Sequence, residues 1–250
     1  MSRVDPRFRL VAGGGSRAAE EVSFPGKGRG AVPPPARPVE PASSGASAFA
    51  GEPILSELFP SSPRDGGWSG FVLAQLGTSG PLLWVQERMA ILEGGRVHAA
   101  GIGRLADQLI HVEAKDAKSA LWAMEEGLRC SALSGVVGEI WGDPQALDFT
   151  ATRRLAVAAE RMGVSCWLVR PGGHAGLSGA RERWRLASAP SAVHPFDPKA
   201  PGSPRWAAEL FRSRRRAPAS WVVGHDPADL LAVAAEPGDR ALGESQRRTG

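Results

Sequence analysis

Residues 60–70 read Pro60-Ser61-Ser62-Pro63-Arg64-Asp65-Gly66-Gly67-Trp68-Ser69-Gly70, a glycine- and serine-rich loop that follows an apolar run. Its residue types suggest phosphate handling. A phosphate-gripping loop, however, needs glycines that turn backbone N–H groups toward the anion, a Lys that neutralises it and a hydroxyl for Mg²⁺. This loop has no Lys, and Pro60 and Pro63 each remove an N–H donor. Arg64 is the one cation available as a substitute.

Other chemical motifs are weaker. Gly101-Ile102-Gly103-Arg104-Leu105-Ala106 fits a dinucleotide-binding string, but no strand leads directly into it and no acidic partner follows at the right place. Gly26-Lys27-Gly28 lacks a flanking strand. The five His and two Cys show no metal-ligand spacing, so neither a metal nor another cofactor is expected. Ser178, in Gly-Leu-Ser-Gly, falls one residue short of a nucleophile elbow, and no triad assembles around it.

Recognition is better supported. Between Arg181 and Pro218, nine Lys and Arg stand against three Asp and Glu, the charge pattern that meets phosphate backbones or acidic proteins. The Gly-rich stretch 171–180 lets a backbone approach a ligand closely and is flanked by Arg170, Arg181 and Arg183. The candidate contacts are Arg170, Gly172, Gly173, Arg181 and Arg183 at this loop, and Arg214, Arg215 and Arg216 at a basic hairpin tip. The alternative is a solvated face with ordinary surface arginines.

Elements must position these groups. Ile54–Phe59, Leu82–Val85, Leu109–Val112, Val136–Trp141 and Val164–Val169 are apolar runs of strand length. Residues 70–76 predict a short buried helix. Asp116 is a helix cap, followed by Ala117, Ala120, Leu121, Met124 and Leu128 on one helical face. A second helix is capped at Thr150, buries Leu155, Ala159 and Met162, and stops at Gly163. Strands alternating with helices across short joints predict an α/β fold with a mostly parallel sheet. After Gly179 strict alternation takes over: Trp184 and Leu186 oppose Arg183 and Arg185, and Trp206, Ala208 and Leu210 face one way. These read as antiparallel strands at the sheet edge, with the Trp residues facing inward.

Residues 1–50, rich in Gly, Pro, Ala and Ser, read as a disordered leader, 51–225 as the core and 226–250 as a helix fragment in a loose tail. The cysteines sit in apolar patterns and no signal core or membrane-length run occurs. A reduced, cytoplasmic, soluble protein is expected.

Leu121-Trp122-Ala123-Met124-Glu125-Glu126, Val136-Val137-Gly138-Glu139, Thr152-Arg153-Arg154-Leu155-Ala156 and the late Arg-x-Arg-Trp-x-Leu of Arg181 to Leu186, followed by Pro204-Arg205-Trp206, together resemble the ImuA family. These are RecA-like accessory proteins of bacterial damage-inducible mutagenesis cassettes. The resemblance spans roughly Ile54 to Val223. It implies a RecA-like core, with helices on both sheet faces, that serves translesion synthesis in the SOS response without strand exchange. The implied partners are a Y-family-like polymerase subunit, an error-prone DnaE-type polymerase, the RecA filament and, weakly, DNA; the implied place is the nucleoid when DNA is damaged. Where RecA-like ATPases carry an acidic pair, this chain has Gln86-Glu87-Arg88, and only Glu139 remains at the place of the metal-supporting acid. The alternatives are a SulA-like cell-division inhibitor and an ATPase with an atypical phosphate loop.

Overall fold

The computed structural model describes residues 53–76, 80–224 and 232–233. The expected leader lies outside them, as does the tail except Ala232–Val233. In chain order the elements are β1 (Leu55–Pro60), α1 (Trp68–Leu73), β2 (Leu82–Glu87), α2 (Arg88–Gly94), a 3₁₀ segment (Ala99–Gln108), β3 (Leu109–Ala114), α3 (Ala117–Leu128), β4 (Gly135–Glu139), α4 (Phe149–Met162), β5 (Cys166–Val169), β6 (Glu182–Ala189), β7 (Arg205–Ser213), β8 (Ala219–Gly224) and β9 (Ala232–Val233). They form one sheet, ordered β3-β2-β4-β5-β1-β6-β7-β8-β9.

The parallel part runs from β3 to β6, and β7, β8 and β9 continue it antiparallel. The strand carrying Trp184 therefore pairs parallel to β1, and the antiparallel edge begins one strand later than its alternation suggested. Alternation reports which side chains share a face; it is silent on the direction of the neighbouring strand. The two described tail residues are strand, not helix.

Residue period assigns each face its cover. Even-numbered Leu58, Trp84, Trp184 and Leu186 join Trp68, Phe71 and Val72 of α1 in one core. Leu55, Val85, Val136 and Leu168 meet Ala120, Leu121, Met124 and Leu155 of α3 and α4 in the other. Gly138 allows α3 to approach, since a Cβ there would lie 2.2 Å from Met124 Sδ. The helices α3 and α4 are each started by an Asp. Asp116 accepts the Ser119 N–H at 2.7 Å, and Asp148, not Thr150, accepts the Ala151 N–H at 2.7 Å. Gly163 ends α4 at φ 70°, the left-handed stop that its residue type suggested.

The Trp residues of the edge face inward as expected. Trp184 and Trp206 are buried, and Phe71 packs edge-on against Trp167, Trp184 and Trp206. Met162 and Trp141 are only partly covered.

Candidate functional site

The C-terminal ends of β1, β2 and β4 surround a cavity of about 280 Å³, lined by Pro63, Arg64, Trp68, Trp84, Gln86 and Glu139 among others. Ligands of open α/β sheets bind at such strand ends. The loop after β1 nevertheless turns its donors inward. Asp65 N–H donates to Ser62 O at 3.0 Å, Gly67 N–H to Asp65 Oδ1 at 2.9 Å and Ser69 N–H to Gly66 O at 3.2 Å. Ser69 Oγ, the hydroxyl placed like a metal ligand, donates to Gly66 O at 2.9 Å.

Two neighbours hold the loop in this form. Asp65 accepts the Ser188 N–H and hydroxyl at 2.9 and 2.6 Å. Burial pushes the Asp65 carboxyl upward, but the hydrogen bonds from Ser188 and Gly67 outweigh it and hold the group below its usual range. Trp206 Nε1 donates to Gly67 O at 2.7 Å, and a Cβ on Gly70 would lie 2.8 Å from the Trp206 ring. Gly70 thus gives room to the Trp206 ring, and Gly67 to Ser188, whose Oγ would lie 2.2 Å from a Cβ there. Arg64 is exposed and paired with Glu93 at 2.8 Å.

Gln86 organises the cavity floor. Its Nε2 donates to Glu139 Oε1 and to Gly95 O, both at 3.0 Å, while its Oε1 accepts the Val97 N–H at 2.9 Å. His111 Nε2 lies 2.9 Å from the same oxygen. Burial, then Arg96, hold the His111 pKa below its usual value, so the neutral ring donates there. Glu139 also accepts from Trp84 Nε1. Burial pushes Glu139 up to about 7 against the opposing hydrogen bonds from Trp84 and Gln86. Glu87 is raised by burial as well, opposed by the Trp141 N–H that it accepts at 2.9 Å. These carboxyls bind the ends of strands to one another. Among the described residues no group of His, Cys, Asp and Glu could hold a metal ion.

The candidate contact residues fall into three places. Arg170 and Arg183 are buried around Glu57, which is fully buried. Arg170 Nη1 reaches Glu57 Oε1 at 2.9 Å, and Arg183 Nε reaches Oε2 at 2.7 Å. Both guanidiniums also lie over the Phe59 ring, at 5.4 and 5.3 Å. Arg170 continues to Asp143, which accepts the His174 N–H, and Arg183 Nη1 donates to Gly176 O at 2.9 Å. The two side chains thus support the Gly-rich loop from behind, while Gly172 itself is exposed with φ 69°. Gly173 fits where a Cβ would come within 2.9 Å of Gly142 O.

The third place lies at the opposite end of the sheet. Arg181 pairs with Glu160 of α4, and Arg216 pairs with Glu182 at 3.0 Å. Arg214 and Arg215 are exposed at the β7–β8 tip, and the Arg214 N–H donates to Arg181 O. The sequence reading missed Glu57, whose signal is a carboxylate inside the apolar run 54–59. It also missed Asp143, which had no local signal.

The sheet order, the two-sided helix cover and the cavity at the strand ends define a RecA-like α/β core. The crystal structure of the RadB recombinase is similar to it, with TM-score 0.50 and 11% identity over 75% of this chain and 93% of that one, a likeness of fold alone. In sequence the chain is 35% identical over 187 residues to Protein ImuA of two strains of Caulobacter vibrioides, covering 68% of this chain and 73% of each relative. The chain belongs to the ImuA family. No family model matches it. No helix among the described residues is long and apolar enough to cross a membrane.

Proposed function

We propose that the protein is a non-catalytic accessory factor of damage-inducible translesion synthesis, a scaffold that brings a Y-family-like polymerase subunit and, through it, an error-prone DnaE-type polymerase to damaged DNA. One observation carries the reading. Groups that a nucleotide-driven relative would direct at phosphate and metal are occupied within the chain: the Asp65 and Ser69 amides by loop carbonyls, the Gly67 amide by the Asp65 carboxylate, the Ser69 hydroxyl by Gly66 O, and Glu139 by Trp84 and Gln86. Membership of the ImuA family supports the cellular setting.

In this reading the loop after β1 is a degenerate phosphate loop and the α/β core works as a binding frame. The protein acts in the cytoplasm, at the nucleoid after DNA damage, with the RecA filament and DNA as further contacts through Gly172, Gly173 and the Arg214–Arg215 tip. Arg170, Arg183, Arg181 and Arg216 hold those elements in place.

Co-purification tests it. Tagged protein from damaged cells is expected to retain the cassette's polymerase subunit. Retention of the cell-division GTPase instead would overturn the proposal in favour of a division inhibitor.

A further inference from the structure

The helices over the parallel strands present an apolar surface that the fold does not use. Trp122 of α3 is 61% exposed, Phe149 and Val157 of α4 are 40% and 47% exposed, and Leu177 of the loop after β5 is 74% exposed. The inward faces of the same helices are complete: Met124, Leu128, Leu155 and Ala159 are fully buried. A Trp left largely in water on a charged helix gains little for folding, and such side chains are the usual anchors of protein interfaces.

Geometry gathers these residues. Phe149, Arg153, Val157 and Arg161 recur every fourth residue and form one stripe along α4. Arg154 Nε reaches Glu125 Oε1 of α3 at 2.8 Å, fixing the two helices side by side, with Trp122 one turn before that bridge and Val157 one turn after it. The loop after β5 closes one side. Gly179 N–H donates to Thr152 Oγ1 at 2.9 Å, and a Cβ on Gly179 would lie 2.6 Å from Arg153 Cα, so Leu177 stands beside the stripe.

Charge selects the occupant. Glu125 pairs with Arg154, Glu126 with Arg129, Glu160 with Arg181 and Asp116 with Lys115, which leaves Lys118, Arg153 and Arg161 to make this exposed face positive. The chain's own residues 1–52 carry seven Lys and Arg against five Asp and Glu, the same sign as the face. Two adjacent helices form a groove for a third. We propose that the outer face of α3 and α4 docks an amphipathic helix with acidic flanks, contributed by another protein. Its apolar stripe covers Trp122, Val157 and Leu177, and its carboxylates meet Lys118, Arg153 and Arg161. The proposal deepens the accessory reading, on which it rests, by naming where and by what chemistry a partner binds.

The test uses the full-length chain and two synthetic helical peptides of identical Leu stripe, one with Glu and the other with Lys at every flanking position. Titration followed by anisotropy of labelled peptide is expected to show about tenfold or greater preference for the Glu peptide. Trp122→Ala, at an exposed position, is expected to keep the thermal unfolding midpoint and weaken the Glu peptide about tenfold or more. The double variant Arg153→Glu/Arg161→Glu is expected to reverse the preference. Equal affinity for the two peptides, or unchanged affinity in Trp122→Ala, overturns the proposal. So does self-association of the wild-type chain that Trp122→Ala abolishes, which assigns the face to a second copy. Peptide preference without retention of the polymerase subunit removes the accessory reading alone. Equal retention of that subunit by wild type and Trp122→Ala removes this surface alone.

Discussion

The C-terminal strand ends and the outer basic surfaces put their polar residues to opposite uses. Around β1, β2 and β4, Gln86, Glu139 and Asp65 are tied to other parts of the chain, and the Asp65, Gly67 and Ser69 amides to the loop itself. On α4 and the β7–β8 tip, Arg153, Arg161, Arg214 and Arg215 are exposed. The contrast teaches that a polar residue near a strand end is evidence of a ligand only once its own partners are known. Where the fold supplies those partners, the residues have become structure.

The contrast is broken most severely at Glu57. Removing it by Glu57→Ala leaves the buried Arg170 and Arg183 without their shared carboxylate, and loss of one partner from a buried ion cluster costs about 3–5 kcal/mol. Urea unfolding is expected to show a loss of that size. A loss below about 1 kcal/mol, the range of exposed pairs, would place the cluster in water instead.

Glu139 gives the next effect, and it depends on pH. Its folded pKa of about 7 lies above the ordinary 4.5, so between these values the folded protein binds more protons than the unfolded chain. Stability contributed at this site is therefore present below pH 4.5 and is lost as pH rises through about 7. Glu139→Gln removes that slope, and the variant is expected to gain about 1–3 kcal/mol relative to wild type between pH 5 and pH 8. Parallel urea titrations at both pH values measure it. A constant difference between the two proteins would mean that Glu139 is ionised throughout.

How much of this was legible in the sequence differs between the two regions. Period alone placed α3, α4 and the buried strands, because Leu, Val and Met at fixed spacing leave few ways to make a core. It misplaced the α4 cap because Asp148 and Thr150 are both capping types two residues apart, and only backbone geometry chooses between them. The missing Lys of the loop after β1 was visible, but the Trp206 that donates to Gly67 O and packs on Gly70 comes 139 residues after Gly67. Likewise Arg170 and Arg183 looked like surface cations flanking a glycine loop, because Glu57 precedes them by 113 and 126 residues. Ion pairs of such separation leave no spacing to read.

At the hairpin tip the expected loss concerns binding, with little change in stability. Arg216 holds Glu182, so the informative variant is Arg214→Ala/Arg215→Ala, which keeps that pair. Its stability is expected to stay within about 0.5 kcal/mol of wild type, while single-stranded DNA binding weakens and its salt dependence becomes shallower. Unchanged affinity and slope would exclude the tip from any phosphate contact.

The smallest effect is expected at Arg64, and it bears most directly on catalysis. Arg64 is 75% exposed in its side chain and paired only to Glu93, so Arg64→Ala is expected to change stability by less than about 1 kcal/mol. If the loop amides are satisfied within the loop, ATP with Mg²⁺ finds neither donors nor a lysine, and labelled ATP should show no saturable binding to wild type or variant. Micromolar binding that Arg64→Ala abolishes would mean that Arg64 leaves Glu93 for phosphate and that Asp65 and Trp206 release the loop. The strand ends would then be a working nucleotide site in a closed form, and the contrast with the outer surfaces would be one of state and not of kind.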